Sequence, residues 1–237
     1  MKKISNFFIG LAALLIIFAM PAFSSAAVTY FTDCAWEGTE LICHVYVDTG
    51  GDSLISGGVK LSYDTSKLSD PSAEKNEGVW FFGTEGGTTY AYMDPEVDTS
   101  AGTITYIVGK LDEDAPTAGV IGDRVIIGTV AFTRSASDDP CSGGNPVGFY
   151  GIDLMLGRDG DYENFVSTTG VALDGDAVKG LIIAAERGDA NFSCGFSTAD
   201  YVATRNWIGK ENPPPYVDCN GIGGVSTADY ICIRNKM

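Results

Sequence analysis

The 237-residue chain is short of the side chains on which much enzyme chemistry depends. It has one histidine, His44, so no Ser/His/Asp or Cys/His arrangement can be assembled without that residue. No two cysteines stand in a CxxC pair, which argues against a zinc ribbon or a thioredoxin-like centre. Cationic side chains are scarce, 15 against 31 acidic ones, and the net charge is −16. Such a surface repels a phosphate backbone and excludes nucleic acid as a natural partner. Beyond the first residues there is no second long apolar run and no hydrophobic C-terminal tail.

What is present begins with the features of an export signal. Lys2 and Lys3 precede an apolar run over 7–23, and Ser24, Ser25, Ala26 and Ala27 supply the small residues of a cleavage site. Residues 1–27 are therefore expected to be a secretory signal peptide rather than a membrane anchor. Its removal leaves about 210 residues and takes the charge to about −18. The expected product is secreted and extracellular, with no membrane attachment. In that compartment six cysteines read as disulfides before metal ligands. Cys34 and Cys43 flank a turn at residues 36–39 and are expected to pair across a hairpin. Cys141, Cys194, Cys219 and Cys232 allow three connectivities, and spacing does not choose among them.

Residues 28–186 read as mainly β. Apolar or alternating runs cover 41–47, 58–63, 78–82, 103–108, 125–132, 147–156 and 180–185, separated by Gly, Asp, Ser and Pro clusters. Val59, Leu61 and Tyr63 fall on one face of their run. This spacing predicts an antiparallel β-sandwich. His44, beside Cys43 in such a strand, reads as a packed residue. The acidic pairs Asp159/Asp161 and Asp174/Asp176 sit in Asp-Gly contexts typical of turns.

Residues 187–237 carry a duplication. Asp189-Ala-Asn-Phe-Ser-Cys-Gly-Phe-Ser-Thr-Ala-Asp200 is followed by Tyr-Val-Ala-Thr-Arg-Asn206, and Asp218-Cys-Asn-Gly-Ile-Gly-Gly-Val-Ser-Thr-Ala-Asp229 by Tyr-Ile-Cys-Ile-Arg-Asn235. Calcium wants roughly six to eight oxygens, and a twelve-residue loop supplies them from positions 1, 3, 5, 7, 9 and 12. In the first copy these are Asp189, Asn191, Ser193, the Gly195 carbonyl, Ser197 and Asp200. In the second they are Asp218, Asn220, the Gly224 carbonyl, Ser226 and Asp229, because Ile222 offers no ligand at position 5. Each loop is expected to open a short helix. Ser193 and Ile222 remove charged ligands, which predicts weak Ca²⁺ binding, and Cys194 stands where glycine normally makes the sharp turn; the alternative is that one or both loops keep their fold through disulfides and packing without Ca²⁺.

This loop-then-helix duplication resembles a divergent type I-like dockerin module. The resemblance implies partner contact from loop positions 10 and 11 and helix positions 17 and 18: Thr198, Ala199, Arg205 and Asn206, with Thr227, Ala228, Arg234 and Asn235 in the second copy. Because the two sets match, either copy could present the same face. Tyr201 and Tyr230 are expected to pack between the helices, and the Glu211-Asn-Pro-Pro-Pro-Tyr216 segment reads as a connecting linker. In the first part of the chain, Gly58-Val-Lys-Leu-Ser-Tyr-Asp-Thr-Ser-Lys-Leu68 and Gly122-Asp-Arg-Val-Ile-Ile-Gly-Thr-Val-Ala-Phe-Thr133 are similar to strands of cohesin domains, which implies a jelly-roll sandwich.

Together the resemblances imply a secreted, non-catalytic adaptor of the cellulosome type. Its partners would be cohesin- or dockerin-bearing extracellular proteins, bound through Ca²⁺-dependent docking, with head-to-tail self-association as a further expectation. A competing reading is a carbohydrate-binding sandwich with a dockerin-like attachment tail. It requires an exposed aromatic row, for which Trp80, Tyr90 and Tyr92 are the candidates. A hydrolase would require two carboxylates converging in a cleft.

Overall fold

The computed structural model describes residues 28–80, 84–85, 88–89, 94–110, 118–134, 153–156, 165–173 and 176–237. The segment 1–27, expected to be an export signal, and Cys141, Tyr90, Tyr92, Asp159, Asp161 and Asp174 lie outside them.

The architecture is mainly β, in two principal sheets. The first five strands in chain order are β1 (Thr29–Glu37), β2 (Glu40–Asp48), β3 (Leu54–Ser62), β4 (Leu68–Lys75) and β5 (Thr84–Glu85). They are followed by β6 (Thr88–Thr89), β7 (Glu96–Asp98), β8 (Thr103–Gly109) and β9 (Val125–Arg134). The last are β10 (Asp153–Leu156), β11 (Phe165–Ser167), β12 (Ala172–Leu173) and β13 (Asp176–Glu186). A five-stranded sheet runs β13-β1-β2-β9-β4; the second runs β12-β11-β3-β8-β7, with β10 also paired to β3. β5 and β6 form a separate two-stranded ribbon.

Pairing is antiparallel except at one place. β13 lies parallel to β1, so the sandwich is not the wholly antiparallel one expected. Two further differences concern single segments. Residues 77–79 form a turn rather than a strand, closed by Val79 N–H donating to the Asn76 carbonyl at 3.2 Å. β1 and β4 were not marked by the periodicity; β4 contains Pro71 and largely polar side chains.

The β1–β2 hairpin turns at Gly38, whose φ of +58° suits glycine. Its register sets Cys34 opposite Cys43, and the two are joined by a disulfide. The core between the sheets is filled by Trp36, Leu41 and Val45 from one side and Val59, Leu61 and Ile104 from the other, all buried. Two close approaches bind the sheets. Tyr63 and Phe132 have ring centroids 4.9 Å apart, and Tyr106 Oη donates to the Thr129 carbonyl at 2.8 Å. Gly128 is required beneath Tyr106: a Cβ there would lie 2.4 Å from Cε1 of that ring and 2.6 Å from the Glu74 carbonyl oxygen.

β13 passes into the duplicated segment with only Arg187 and Gly188 between Glu186 and Asp189. Two helices follow, α1 (Thr198–Arg205) and α2 (Thr227–Lys236). The hydrophobic core is continuous from the sandwich into this tail through Ala190, Tyr216, Val217 and Val225.

Candidate cation-binding loops and docking face

Each loop is organised by its first and last aspartates. Asp189 Oδ1 accepts from Ser193 N–H at 2.9 Å and Oδ2 from Cys194 N–H at 2.9 Å. Asp200 Oδ1 accepts from Asn191 N–H at 3.1 Å, while Oδ2 accepts from Ser197 N–H at 2.8 Å. The second loop repeats the pattern. Asp218 takes Gly221 and Gly223 N–H groups at 2.9 Å each, and Asp229 takes Asn220 N–H at 3.2 Å and Ser226 N–H at 2.8 Å. Asn191 and Asn220 each turn their Oδ1 to the N–H two residues on, at 3.0 and 2.9 Å.

Position 12 has two uses. Ser197 and Ser226 are the N-caps of α1 and α2, and Asp200 and Asp229 complete capping boxes with them. The acid that closes each loop therefore also starts each helix, in the first turn where the helix dipole favours negative charge.

All four aspartates are buried. Burial pushes the Asp189 carboxyl above the usual range, and the adjacent Asp200 charge adds to this, while the Ser193 and Cys194 N–H groups oppose it. Asp218 is pushed up in the same way by burial and by Asp229, opposed by the Gly223 N–H and by Arg187. Two buried like charges side by side are costly without a counter-charge. No ion pair to Asp189, Asp200 or Asp229 occurs among the described residues. The remaining donors in reach are amide, hydroxyl and carbonyl oxygens, which suit a hard cation. The set is lean, however: among the described residues no three His, Cys, Asp or Glu side chains come together. In the first loop Ser193 Oγ also donates to the Gly195 carbonyl at 3.1 Å, so these two oxygens face each other. Ile222 is exposed and contributes nothing.

The loop backbones agree at two positions whose residues differ and part at position 7, where Gly224 has a φ of 75° and Gly195 lies outside the positive region. Positions 4 and 6 have positive φ in both copies, Phe192 at 59° and Cys194 at 58° against Gly221 at 69° and Gly223 at 88°. Phe192 is held in this unfavourable conformation by its ring, which packs edge-on against Tyr216 at 4.8 Å. Cys194 is held by a disulfide. A further disulfide, Cys219–Cys232, ties position 2 of the second loop to α2.

Tyr201 and Tyr230 meet between the helices with centroids 5.7 Å apart. On the outer surface Thr198, Ala199, Arg205 and Asn206 are all exposed, as are Thr227, Ala228, Arg234 and Asn235. Sequence reasoning missed one matched pair on that surface, Val202 and Ile231, which are 65% and 53% exposed at equivalent helix positions. The repeat alignment could have revealed it, since an apolar residue follows each Ala-Asp-Tyr.

The tail also lies against the five-stranded sheet. A cleft of about 730 Å³ opens between them, with Ile42, His44 and Ile126 on the sheet side and Pro213, Pro215 and Gly221–Gly224 on the tail side. His44 sits there with Nδ1 3.1 Å from Tyr46 Oη, and its pKa is pushed down to about 4 by burial and by Arg187 and Arg124. Trp80, a candidate for an exposed aromatic row, is buried, and its indole N–H donates to the Ile126 carbonyl at 3.0 Å.

No protein-family model and no curated protein matches the chain. Among solved structures it is similar to CaCohA2 from Clostridium acetobutylicum, at 17% identity over 70% of this chain and 95% of that one, with a TM-score of 0.42. It is also similar to the complex of the third cohesin ScaC with the ScaB dockerin from Acetivibrio cellulolyticus, at 11% identity over 66% and 99%, TM-score 0.41. A third is a type III cohesin module from the ScaE cell-surface anchoring scaffoldin of Ruminococcus flavefaciens, at 13% identity over 68% and 91%, TM-score 0.40.

Proposed function

We propose that the chain is a secreted, non-catalytic adaptor whose C-terminal tail docks onto a cohesin-type partner in a Ca²⁺-dependent manner. The observation that carries this reading is the doubled outer face of the tail. Thr198, Ala199, Val202, Arg205 and Asn206 on one helix match Thr227, Ala228, Ile231, Arg234 and Asn235 on the other, and all ten are exposed. Among the described residues most large apolar side chains left in solvent are in the tail: Val202, Ile208, Ile222, Ile231 and Met237. Exposed apolar groups beside arginines are the composition of a protein-binding surface.

Calcium would be held by Asp189, Asn191, Ser193, the Gly195 carbonyl, Ser197 and Asp200, and by Asp218, Asn220, the Gly224 carbonyl, Ser226 and Asp229. It would supply the counter-charge that the Asp189/Asp200 pair lacks and would add to the Arg187 charge beside Asp218. With two carboxylates per loop the affinity should fall toward the weak end of the range for such loops. The sandwich, by its resemblance in residues 58–68 and 122–133, would receive a dockerin-bearing partner. The Cys34–Cys43 and Cys219–Cys232 disulfides suit an oxidising compartment, in keeping with the expected export signal at residues 1–27. The burial of Trp80 removes one member of the aromatic row that a polysaccharide-binding role would use.

The test is capture from culture medium in millimolar calcium followed by elution with chelator. A cohesin-bearing protein that binds, is released by chelator, and is lost on combined Arg205→Asp and Arg234→Asp substitution supports the reading. Capture that ignores chelator and both substitutions overturns it.

A further inference from the structure

Arg124 occupies a built socket. It stands one residue before β9 with φ +55°, a conformation disfavoured for a side chain of this size. From there its guanidinium lies over the outer face of the five-stranded sheet. Nη2 donates to the Asp33 carboxylate at 2.6 Å, and Asp33 is buried. Cζ lies 4.3 Å from the Tyr46 ring centroid, 5.1 Å from Phe31 and 5.0 Å from Trp207, while Phe31 and Tyr46 stack at 5.2 Å. Nε donates to the Asn212 carbonyl at 3.3 Å.

Three of these partners, Phe31, Asp33 and Tyr46, belong to β1 and β2. Trp207 and Asn212 belong to the tail. The same seam carries Tyr46 Oη donating to the Pro213 carbonyl at 3.1 Å. Farther along it, Arg187 Nη1 donates to the Asp218 carbonyl at 3.0 Å, and Lys236 Nζ to the Arg187 carbonyl at 2.7 Å. The proline segment, read from sequence as a bare connector, supplies the carbonyls that this seam needs. A planar guanidinium can lie flat on aromatic rings while the N–H groups at its edge bind a carboxylate, a geometry that an ammonium, having no plane, does not reproduce.

We infer that the outer face of the β13-β1-β2-β9-β4 sheet is a docking surface whose occupant is the chain's own tail, latched by the caged Arg124, so that sandwich and tail fold and unfold as one cooperative unit. Three arguments select the tail as occupant. The connection through Arg187 and Gly188 is too short to let it leave far. The aromatic cage is completed only by Trp207. The hydrophobic core runs unbroken across the seam. In consequence the β1–β2 part of this face is closed to other proteins, while Ser72 and Glu74 of β4 stay exposed at its edge, so a partner must meet that edge, the opposite sheet or the outer surface of α1 and α2.

The experiment uses the full exported chain in calcium, without partner, so it stands apart from the docking test. Differential scanning calorimetry is combined with amide hydrogen exchange on Arg124→Lys, Trp207→Leu and the control Val97→Thr, at an exposed position of the other sheet. The wild type and the control should melt in a single transition. Arg124→Lys and Trp207→Leu should split it, the tail melting first, with exchange in residues 198–215 at least ten-fold faster. Trp207→Leu leaves the sandwich sequence untouched and covers the case in which Arg124→Lys fails to fold. Two transitions in the wild type, or both variants keeping one transition and unchanged exchange, would overturn the latch.

Discussion

His44 shows how much the seam depends on a neutral side chain. Its imidazole faces the cleft between sheet and tail, half-buried, with Arg187 and Arg124 nearby. A histidine whose folded pKa is depressed to about 4 from 6.5 favours the native state fully above pH 6.5 and loses that contribution as pH falls toward 4. A shift of this size corresponds to about 3 kcal/mol at most. Asp33 and Glu186 have carboxyls raised chiefly by burial, and their contributions run the other way, present at low pH and lost as pH rises. The difference between wild type and His44→Gln isolates the histidine. Denaturant unfolding between pH 7 and 4 should show the wild type losing stability relative to the variant; parallel curves would refute the assignment. Gly128 makes a second prediction on steric grounds. Gly128→Ala forces a methyl group against the Tyr106 ring and the Glu74 carbonyl. It should cost about 1–3 kcal/mol, the usual range for overpacking, read as a lower urea midpoint at unchanged slope.

At the scale of elements, the second loop and α2 form a unit closed by Cys219–Cys232, thirteen residues apart. Closing a loop of that size stabilises by about 3 kcal/mol in the chain-entropy account. Replacing both cysteines with serine should therefore lower the stability of the whole chain by a similar amount, measured by chemical unfolding under oxidising conditions. Asp229 is expected to matter with or without metal, since it caps α2 and closes the loop. Asp229→Ala should cost about 1 kcal/mol in chelator and abolish calorimetric Ca²⁺ binding by that loop. How much of this was legible follows from the same elements. The repeat was readable because its aspartates, serines and the Thr-Ala-Asp-Tyr run recur at fixed spacing. Val59, Leu61 and Tyr63 were readable because β3 alternates. β2 reads instead as a continuous apolar run, because both of its faces are covered: Leu41, Cys43 and Val45 point into the sandwich, and Ile42, His44 and Tyr46 toward the tail. The seam itself was not readable, since nothing in the spacing of Phe31, Arg124 and Trp207 brings them together; only the sheet register does. β4 escaped notice because an edge strand can be polar and carry a proline.

The whole molecule is electrically lopsided. Residues 188–237 hold four Lys or Arg and five Asp or Glu, so nearly all of the −16 charge belongs to the rest of the chain. Two bound divalent cations would bring the tail from about −1 to about +3, with Arg205 and Arg234 on its outer face. An acidic sandwich and a cationic tail on one chain favour contact between copies, and a head-to-tail contact need not close on itself. The latch sharpens this expectation, because a tail fixed against its own sheet presents its outer helices in one direction only. Sedimentation of residues 28–237 in calcium should then show species larger than a monomer that grow with concentration. They should shrink in chelator and in salt above about 0.5 M, where screening shortens the reach of charge to a few ångströms. Arg205→Asp or Arg234→Asp alone should weaken assembly only about two-fold if either helix can serve, because one copy of the face remains. The double variant should sediment as a monomer. A wild type that stays monomeric in both calcium and chelator removes self-association and leaves docking to a different protein as the use of the doubled face. A single substitution as damaging as the pair would mean that only one of the two helices meets the partner.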